Sequence, residues 1–247
     1  MSSPRRLRCT VEGVKDHGGR VYTVDLRPDG LLPVFRPGQF LHLTVDPCEA
    51  SGFWPESRVF SVASSPFERH RIRICYAVKG RYTARMEEAL AVGATAWIKL
   101  PYGNFIIDDA AEAVLIAGGT GITAFTAFLE SLNPVGCQKV WLVYGARSSE
   151  LILFMDVILA QLDRVPRFNA MFFVERGGDC NDVRDMLRHR AACDIGRISM
   201  KGVWALLEQA AGPVFYLSGP PVMLRDLASD IRDRGVPADR VRMDAWE

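Results

Sequence analysis

Ala113-Val114-Leu115-Ile116-Ala117-Gly118-Gly119-Thr120-Gly121-Ile122-Thr123 is the stretch from which the fold follows. Its first five residues are apolar without interruption, as in a short strand buried on both faces of a parallel sheet. The turn Gly118-Gly119-Thr120-Gly121 comes next, and then an apolar helix from Ala124 to Leu132. Glycines there permit positive φ and let the backbone approach a ligand closely. Amides at the start of the following helix attract a phosphate. The pattern is not G-x-G-x-x-G, and a glycine turn can also serve plain chain reversal.

Toward the C-terminus the same rhythm continues. Val140–Tyr144 and Phe168–Val174 read as strands, with a helix over Ile152–Leu162 between them. A helix over Gly202–Ala211, a strand over Val214–Leu217 and an amphipathic helix over Val222–Arg234 complete it. Strands alternating with helices predict a doubly wound parallel sheet. A second turn, Leu217-Ser218-Gly219-Pro220-Pro221, also joins a strand to a helix. Pro221 suits a first helical turn, where its missing N–H costs nothing. In a parallel sheet both turns lie at the carboxyl ends of strands, where ligands bind. A rigid connector is the alternative reading of the second turn.

Before residue 110 the rhythm is different. Leu7–Val14, Val21–Leu26, Phe40–Val45, Val59–Ala63, Ile72–Val78 and Thr95–Leu100 read as short strands, with one helix over Tyr82–Leu90. Such spacing predicts a small antiparallel β-barrel. The expected organisation is therefore a barrel domain over residues 1–108 and a doubly wound α/β domain over 109–247. Two barrel segments carry chemistry. In Arg58-Val59-Phe60-Ser61, alternation puts Arg58 and Phe60 on one strand face, able to bind a phosphate and cover an apolar ring, or simply a solvated face. In Gly80-Arg81-Tyr82-Thr83, Thr83 reads as an N-cap and Glu87 as a first-turn acid, at a helix start that can also receive a pyrophosphate.

Composition narrows the function classes. The 247 residues are 49% hydrophobic and 24% charged with a formal net charge of +1, so no global basic field draws nucleic acid or anionic lipid. The six cysteines, at positions 9, 48, 75, 137, 180 and 193, lack metal-site or cluster spacing and read as reduced thiols, so no metal is expected. No apolar run reaches the ~18 residues of a membrane span. No apolar stretch follows Arg5-Arg6, so no signal peptide is read, and a cytoplasmic location is expected. Arg20, Arg69, Arg71, Arg73, Arg81 and Arg85 are either scattered surface charge or a patch for an acidic carrier.

Taken together, these motifs resemble the ferredoxin–NADP⁺ reductase superfamily over nearly the whole chain, from about Arg8 to Glu247. Arg58-Val59-Phe60-Ser61 is similar to that family's Arg-x-Tyr-Ser flavin strand, with Phe60 in place of Tyr, and Pro37-Gly38-Gln39-Phe40 to its Pro-Gly-Gln turn. Tyr102-Gly103-Asn104-Phe105, Gly118 to Thr123, Tyr144-Gly145-Ala146-Arg147 and Ser218-Gly219-Pro220-Pro221 resemble further family elements, the last with Ser for Cys. Asp244-Ala245-Trp246 resembles the family's acid-x-aromatic C-terminus.

The resemblance implies FAD as cofactor, held by Arg58, Val59, Phe60, Ser61, Tyr76, Val78, Gly80, Tyr82 and Thr83, with Trp246 over the flavin. It implies NADH or NADPH as donor, held by Gly119, Thr120, Thr123, Arg147, Arg176, Gly219 and Pro220. Ser61 is expected beside flavin N5, and Ser218 and Asp244 beside the nicotinamide, where they tune geometry rather than act as strong acid or base. Glu175 would repel a 2′-phosphate and favours NADH; Arg176 or Arg197 could pair with one. With no cluster cysteines, electrons are expected to leave to a separate acceptor. That acceptor is a ferredoxin-like protein of an oxygenase system or, alternatively, free flavin as a loosely held substrate. A non-catalytic electron-transfer or redox-sensing subunit is the third reading.

Overall fold

A computed structural model describes residues 3–49, 52–108, 110–136, 138–175, 183, 190–207 and 210–244. They fall into two units, one within Met1–Ile106 and Thr123–Ser131, the other within Ile107–Ile122 and Leu132–Glu247.

In the first unit the alternation of apolar residues produces six strands: β1 (Arg5–Asp16), β2 (Val21–Pro28), β3 (Phe40–Thr44), β4 (Arg58–Ser61), β5 (Ile72–Ala77) and β6 (Thr95–Tyr102). They pair antiparallel in the order β4-β3-β6-β1-β2-β5. Hydrogen bonds beyond the two end strands nearly close the barrel, from Ala63 N to Arg73 O at 2.9 Å and from Arg73 N to Ser64 Oγ at 3.2 Å. Leu7, Cys9 and Val11 of β1 point inward with Leu41 and Leu43, Ile72 and Ile74, and Ile98 and Leu100. This is the period of two that a half-buried sheet requires.

Helix α1 (Arg81–Ala89) buries Tyr82 and Met86 in that core. Its N-cap is Gly80, which corrects the expectation for Thr83. Thr83 sits one turn in, and its Oγ1 accepts from the amides of Gly80 at 3.1 Å and Lys79 at 3.0 Å. Glu87 lies beyond the first turn and accepts from the Tyr22 hydroxyl at 2.8 Å and from Arg20 at 2.5 Å. The Arg20 bond, then that of Tyr22, holds its carboxyl below the usual range. The supposed arginine patch is mostly internally paired. Arg73 binds Asp25 at 2.8 Å, Arg71 binds Glu12 at 3.4 Å, Arg85 binds Asp46, and Arg69 donates to the Leu32 carbonyl at 3.0 Å.

The second unit is an all-parallel sheet in the order β10-β9-β8-β7-β11-β12. Its strands are β7 (Ala113–Gly118), β8 (Val140–Ala146), β9 (Phe168–Val174), β10 (Ala191–Ile195), β11 (Val214–Ser218) and β12 (Val241–Asp244). Every residue of β7 is buried, as its uninterrupted apolar sequence requires. Helix α2 (Thr123–Ser131) follows the β7 turn and groups with the first unit. Helices α3 (Met155–Arg164), α4 (Met200–Leu206) and α5 (Pro221–Asp233) belong to the second. Helix α3 starts after Phe154, whose φ of 56° is left-handed, so the apolar Ile152 and Leu153 precede the helix. The described cysteines, Cys9, Cys48, Cys75 and Cys193, are free and buried. Burial pushes the Cys75 thiol up to about 12 and raises that of Cys9 further, which keeps both protonated and inert.

The Pro37-Gly38-Gln39 turn ties the barrel together. Gln39 Oε1 accepts from the Arg36 amide at 2.8 Å, and its Nε2 donates to the Gly103 carbonyl at 3.1 Å. Gly38 has a φ of +92°, and a Cβ there would overlap the Phe105 carbonyl oxygen. Gly38→Ala therefore combines a strained backbone with an overpacked contact. It is expected to cost about 2–4 kcal/mol of barrel stability, read from the urea midpoint. An unchanged midpoint would contradict the packing described.

Candidate functional sites

The first unit carries a concavity of about 280 Å³ lined by Arg58, Lys79, Gly80, Arg81, Tyr82 and Thr83. Four residues expected from sequence at a pyrophosphate thus come together: Arg58 from the head of β4, and Gly80, Tyr82 and Thr83 from the head of α1. Arg81 belongs to the Gly80–Thr83 segment read from the sequence, whereas Lys79 was not assigned to this site, although a Lys-Gly-Arg run at a helix start is a legible signal. The Arg58 guanidinium carbon lies 4.5 Å from the Tyr82 ring centroid. Tyr82 itself is buried. Its hydroxyl donates to the Glu56 carbonyl at 2.8 Å and accepts from the Val45 amide at 3.3 Å. The ring therefore serves as a platform, and the hydroxyl is committed to the loop before β4.

A Cβ on Gly80 would meet nothing within 4 Å, so the space above the helix start is open. First-turn amides there have no helical acceptor. Three cations, oriented amides and open space fit a diphosphate well.

Val59, Phe60 and Ser61 continue β4, each half-buried. The Phe60 ring lies 6.0 Å from that of Tyr76, which is 3% exposed and packs on Tyr22 at 5.6 Å. Tyr76 thus supports Phe60 from the core instead of lining the concavity, and Val78 packs against the same core.

In the second unit the two glycine turns meet. Register places Ala117 of β7 beside Ser218 of β11, and Ser218 beside Asp244 of β12. The buried Ser218 Oγ donates to Asp244 Oδ2 at 3.1 Å. Gly119 has a φ of +54° and Gly219 of +150°. A Cβ on Gly121 would overlap the Ser218 carbonyl, and one on Gly219 would stand 3.0 Å from the Gly118 nitrogen. Tyr144 of β8 fixes the arrangement: its hydroxyl donates to the Gly119 carbonyl at 3.1 Å and accepts from the Leu153 amide at 3.1 Å. Thr120 is half-buried in the turn, and Thr123 is buried at the head of α2. Pro220 caps α5 and Pro221 opens it, as its ring favours.

Arg147 is exposed just beyond β8. Glu175 follows β9, where its amide donates to the Ala146 carbonyl at 3.0 Å, and its carboxylate pairs with Arg197 at 3.5 Å. The two side chains that were rivals for nucleotide choice are thus partners. Arg176 and Trp246 lie outside the described residues.

Comparison with known proteins agrees with this arrangement. Residues 115–229 match the family model described as the oxidoreductase NAD-binding domain. A flavohemoprotein of Deinococcus radiodurans is 27% identical over 214 residues, covering 85% of this chain and 51% of that protein. The reductase component of propane 2-monooxygenase from Mycolicibacterium goodii is 26% identical over 220 residues, covering 86% and 59%. The chain thus spans little more than half the length of either relative. Among solved structures, the Amycolatopsis cytochrome P450 reductase GcoB has the same fold, with a TM-score of 0.79 at 22% identity over 98% of this chain and 70% of that one.

Because the turn around Gly121 has no room for a Cβ, Gly121→Ala must displace the Ser218 backbone. It is expected to weaken NADH binding about tenfold in a fluorescence titration and leave flavin retention unchanged. Unaltered NADH affinity would separate this turn from nucleotide binding.

Proposed function

We propose that the chain is a member of the ferredoxin–NADP⁺ reductase superfamily that takes a hydride from NADH or NADPH onto FAD and passes the electrons to a separate acceptor. The observation that carries this reading is the presence of two nucleotide-type cradles in one chain. One is a cationic helix start on the barrel, the other a pair of abutting glycine turns on the parallel sheet. Residues 1–108 are proposed as the FAD-binding domain and 109–247 as the nicotinamide-nucleotide domain.

Bound FAD supplies the electronic chemistry, and the protein supplies position and electrostatics. Arg58, Lys79, Arg81 and the α1 amides would hold the pyrophosphate, with Thr83 locking the turn through its bonds to Lys79 and Gly80. Phe60 would give the ring system an apolar contact, and Val59 and Ser61, which share the other face of β4, an apolar edge and a hydroxyl near N5. On the sheet, Gly119, Thr120, Thr123, Arg147, Gly219 and Pro220 would hold the dinucleotide. Ser218 and Asp244 would orient the nicotinamide. Their hydrogen bond fixes the serine rotamer, so the oxygen presents a defined lone-pair direction.

The proposed acceptor is a ferredoxin-like protein of an oxygenase system, a reading supported by the likeness to a monooxygenase reductase component. Free flavin as the acceptor is the second reading. It is favoured by Phe60, which cannot make the hydroxyl contact of a tyrosine. Among the described residues no helix is long and apolar enough to cross a membrane. A cytoplasmic location is part of the proposal and does not follow from that absence.

The test is spectroscopic. The purified protein is expected to bind FAD, and anaerobic NADH is expected to bleach the flavin band. A protein that neither binds FAD nor oxidises either nucleotide refutes the proposal. Nucleotide choice has its own test. Glu175, at the carboxyl end of β9, would accept from the ribose 2′-hydroxyl and repel a 2′-phosphate. NADH is therefore expected as the better donor. Glu175→Gln, by releasing Arg197, is expected to raise kcat/KM for NADPH about tenfold, roughly 1.4 kcal/mol. No change in the NADPH to NADH ratio would remove Glu175 from the site.

A further inference from the structure

The arginine most central to the barrel site is already engaged by the chain itself. Arg58 Nη2 donates to Glu56 Oε1 at 3.0 Å, and Nη1 donates to the Ser57 carbonyl at 2.8 Å. Its face lies over Tyr82. Both terminal nitrogens of the guanidinium therefore have protein acceptors. Each terminal nitrogen keeps a second N–H for a phosphate, but the N–H groups already engaged become available only if the Glu56 carboxylate and the Ser57 carbonyl give way.

The loop bearing Glu56 is not loose. The Glu56 carbonyl accepts from the buried Tyr82 hydroxyl at 2.8 Å, and the Ser57 hydroxyl accepts from Trp54 Nε1 at 2.9 Å. That anchorage holds a negative charge at the rim of a concavity otherwise lined by Arg58, Lys79 and Arg81. The Arg58 and Glu56 side chains are 44% and 43% exposed, so the pair is weak enough to open.

We propose that Glu56 is an internal competitor for Arg58 that weakens flavin binding and makes the flavin exchangeable. The inference rests on the FAD reading above. A carboxylate parked on the guanidinium raises the free energy of the diphosphate complex in either of two ways: where the phosphate takes the engaged N–H, Arg58 gives up a partner, and where it does not, a like charge stays close to the incoming anion. Each part is electrostatic and is screened by salt. Glu56 acts through Arg58 and is a positioning residue. It sets how long the barrel keeps its cofactor, and so whether flavin behaves as a resident group or as a substrate.

Glu56→Gln keeps the backbone anchor to Tyr82 and removes the charge. FAD binding, followed by quenching of flavin fluorescence, is expected to tighten about tenfold at low ionic strength. The gain is expected to shrink in high salt and to vanish when the same change is made in an Arg58→Gln background. An unchanged Kd overturns the inference. So does an equal gain in the Arg58→Gln background, which would reduce Glu56 to general repulsion. If neither wild type nor variant binds FAD, the flavin reading itself falls. A titration with inorganic pyrophosphate then decides: tighter binding to the Glu56→Gln protein alone keeps the competition at Arg58, and equal binding ends it.

Discussion

Two backbone turns in the second unit approach so closely that neither can carry a side chain at the point of contact. Gly121 faces the Ser218 carbonyl, and Gly219 faces Gly118. The approach follows from the sheet: β7 and β11 are neighbours in parallel register, so their carboxyl ends arrive at the same level with Ala117 opposite Ser218. Every feature of this site depends on that alignment. The adjacent amides are aimed from one place because the strands end together. Ser218 meets Asp244 because β12 extends the same register by one strand. A shift of one residue in either pairing would turn the serine to the other face of the sheet and break the hydrogen bond.

The barrel site is organised by charge more than by close packing. Its cationic side chains and amides are spread over the start of a strand and the start of a helix. The ring of Tyr82 unites them, since it is buried deeply enough to be rigid and lies under the Arg58 guanidinium. A second guanidinium, Arg85, lies 5.4 Å from the same ring and is paired with Asp46. Each arginine over Tyr82 thus has its own carboxylate, which limits the positive potential that α1 would otherwise present. Under the proposed reading, the site would select its ligand by placing donors rather than by accumulating unscreened charge.

How far the sequence foretold this depends on the kind of signal. β7 was plain because a strand buried on both faces must be wholly apolar, and Val140–Tyr144 of β8 reads the same way. The turn after β11 was plain because glycine and two prolines allow few conformations. β10 was missed: Ala191-Ala192-Cys193-Asp194-Ile195 lies at a sheet edge with one buried residue, so it has neither alternation nor an apolar run. β12 was missed for the same reason, since Val241-Arg242-Met243-Asp244 pairs only with β11. The cap of α1 was misplaced by three residues because a threonine can serve as an N-cap or, one turn later, bond back to the amide of the cap. Sequence spacing does not separate the two. The partners of the arginines were invisible for a different reason. Arg73 and Asp25, or Arg20 and Glu87, meet only through strand register and helix docking, over separations of 48 and 67 residues.

These pairings bear on how the chain meets a partner. Residues 1–106 hold 15 lysines and arginines against 10 acidic residues, and pairing with nearby carboxylates lowers the positive potential around most of the barrel arginines. At short range, shape and exposed apolar side chains count as well. Leu31, Val34 and Phe67 are such side chains on the barrel, at 48%, 63% and 79% exposure. They sit on two loops held together by the hydrogen bonds of Arg69 and Leu32. The same local pairing that quiets the surface also acts within the cofactor site, where Glu56 partners Arg58. One electrostatic habit, cations matched to nearby carboxylates, therefore governs both how strongly the barrel attracts anions from a distance and how firmly it grips one on arrival.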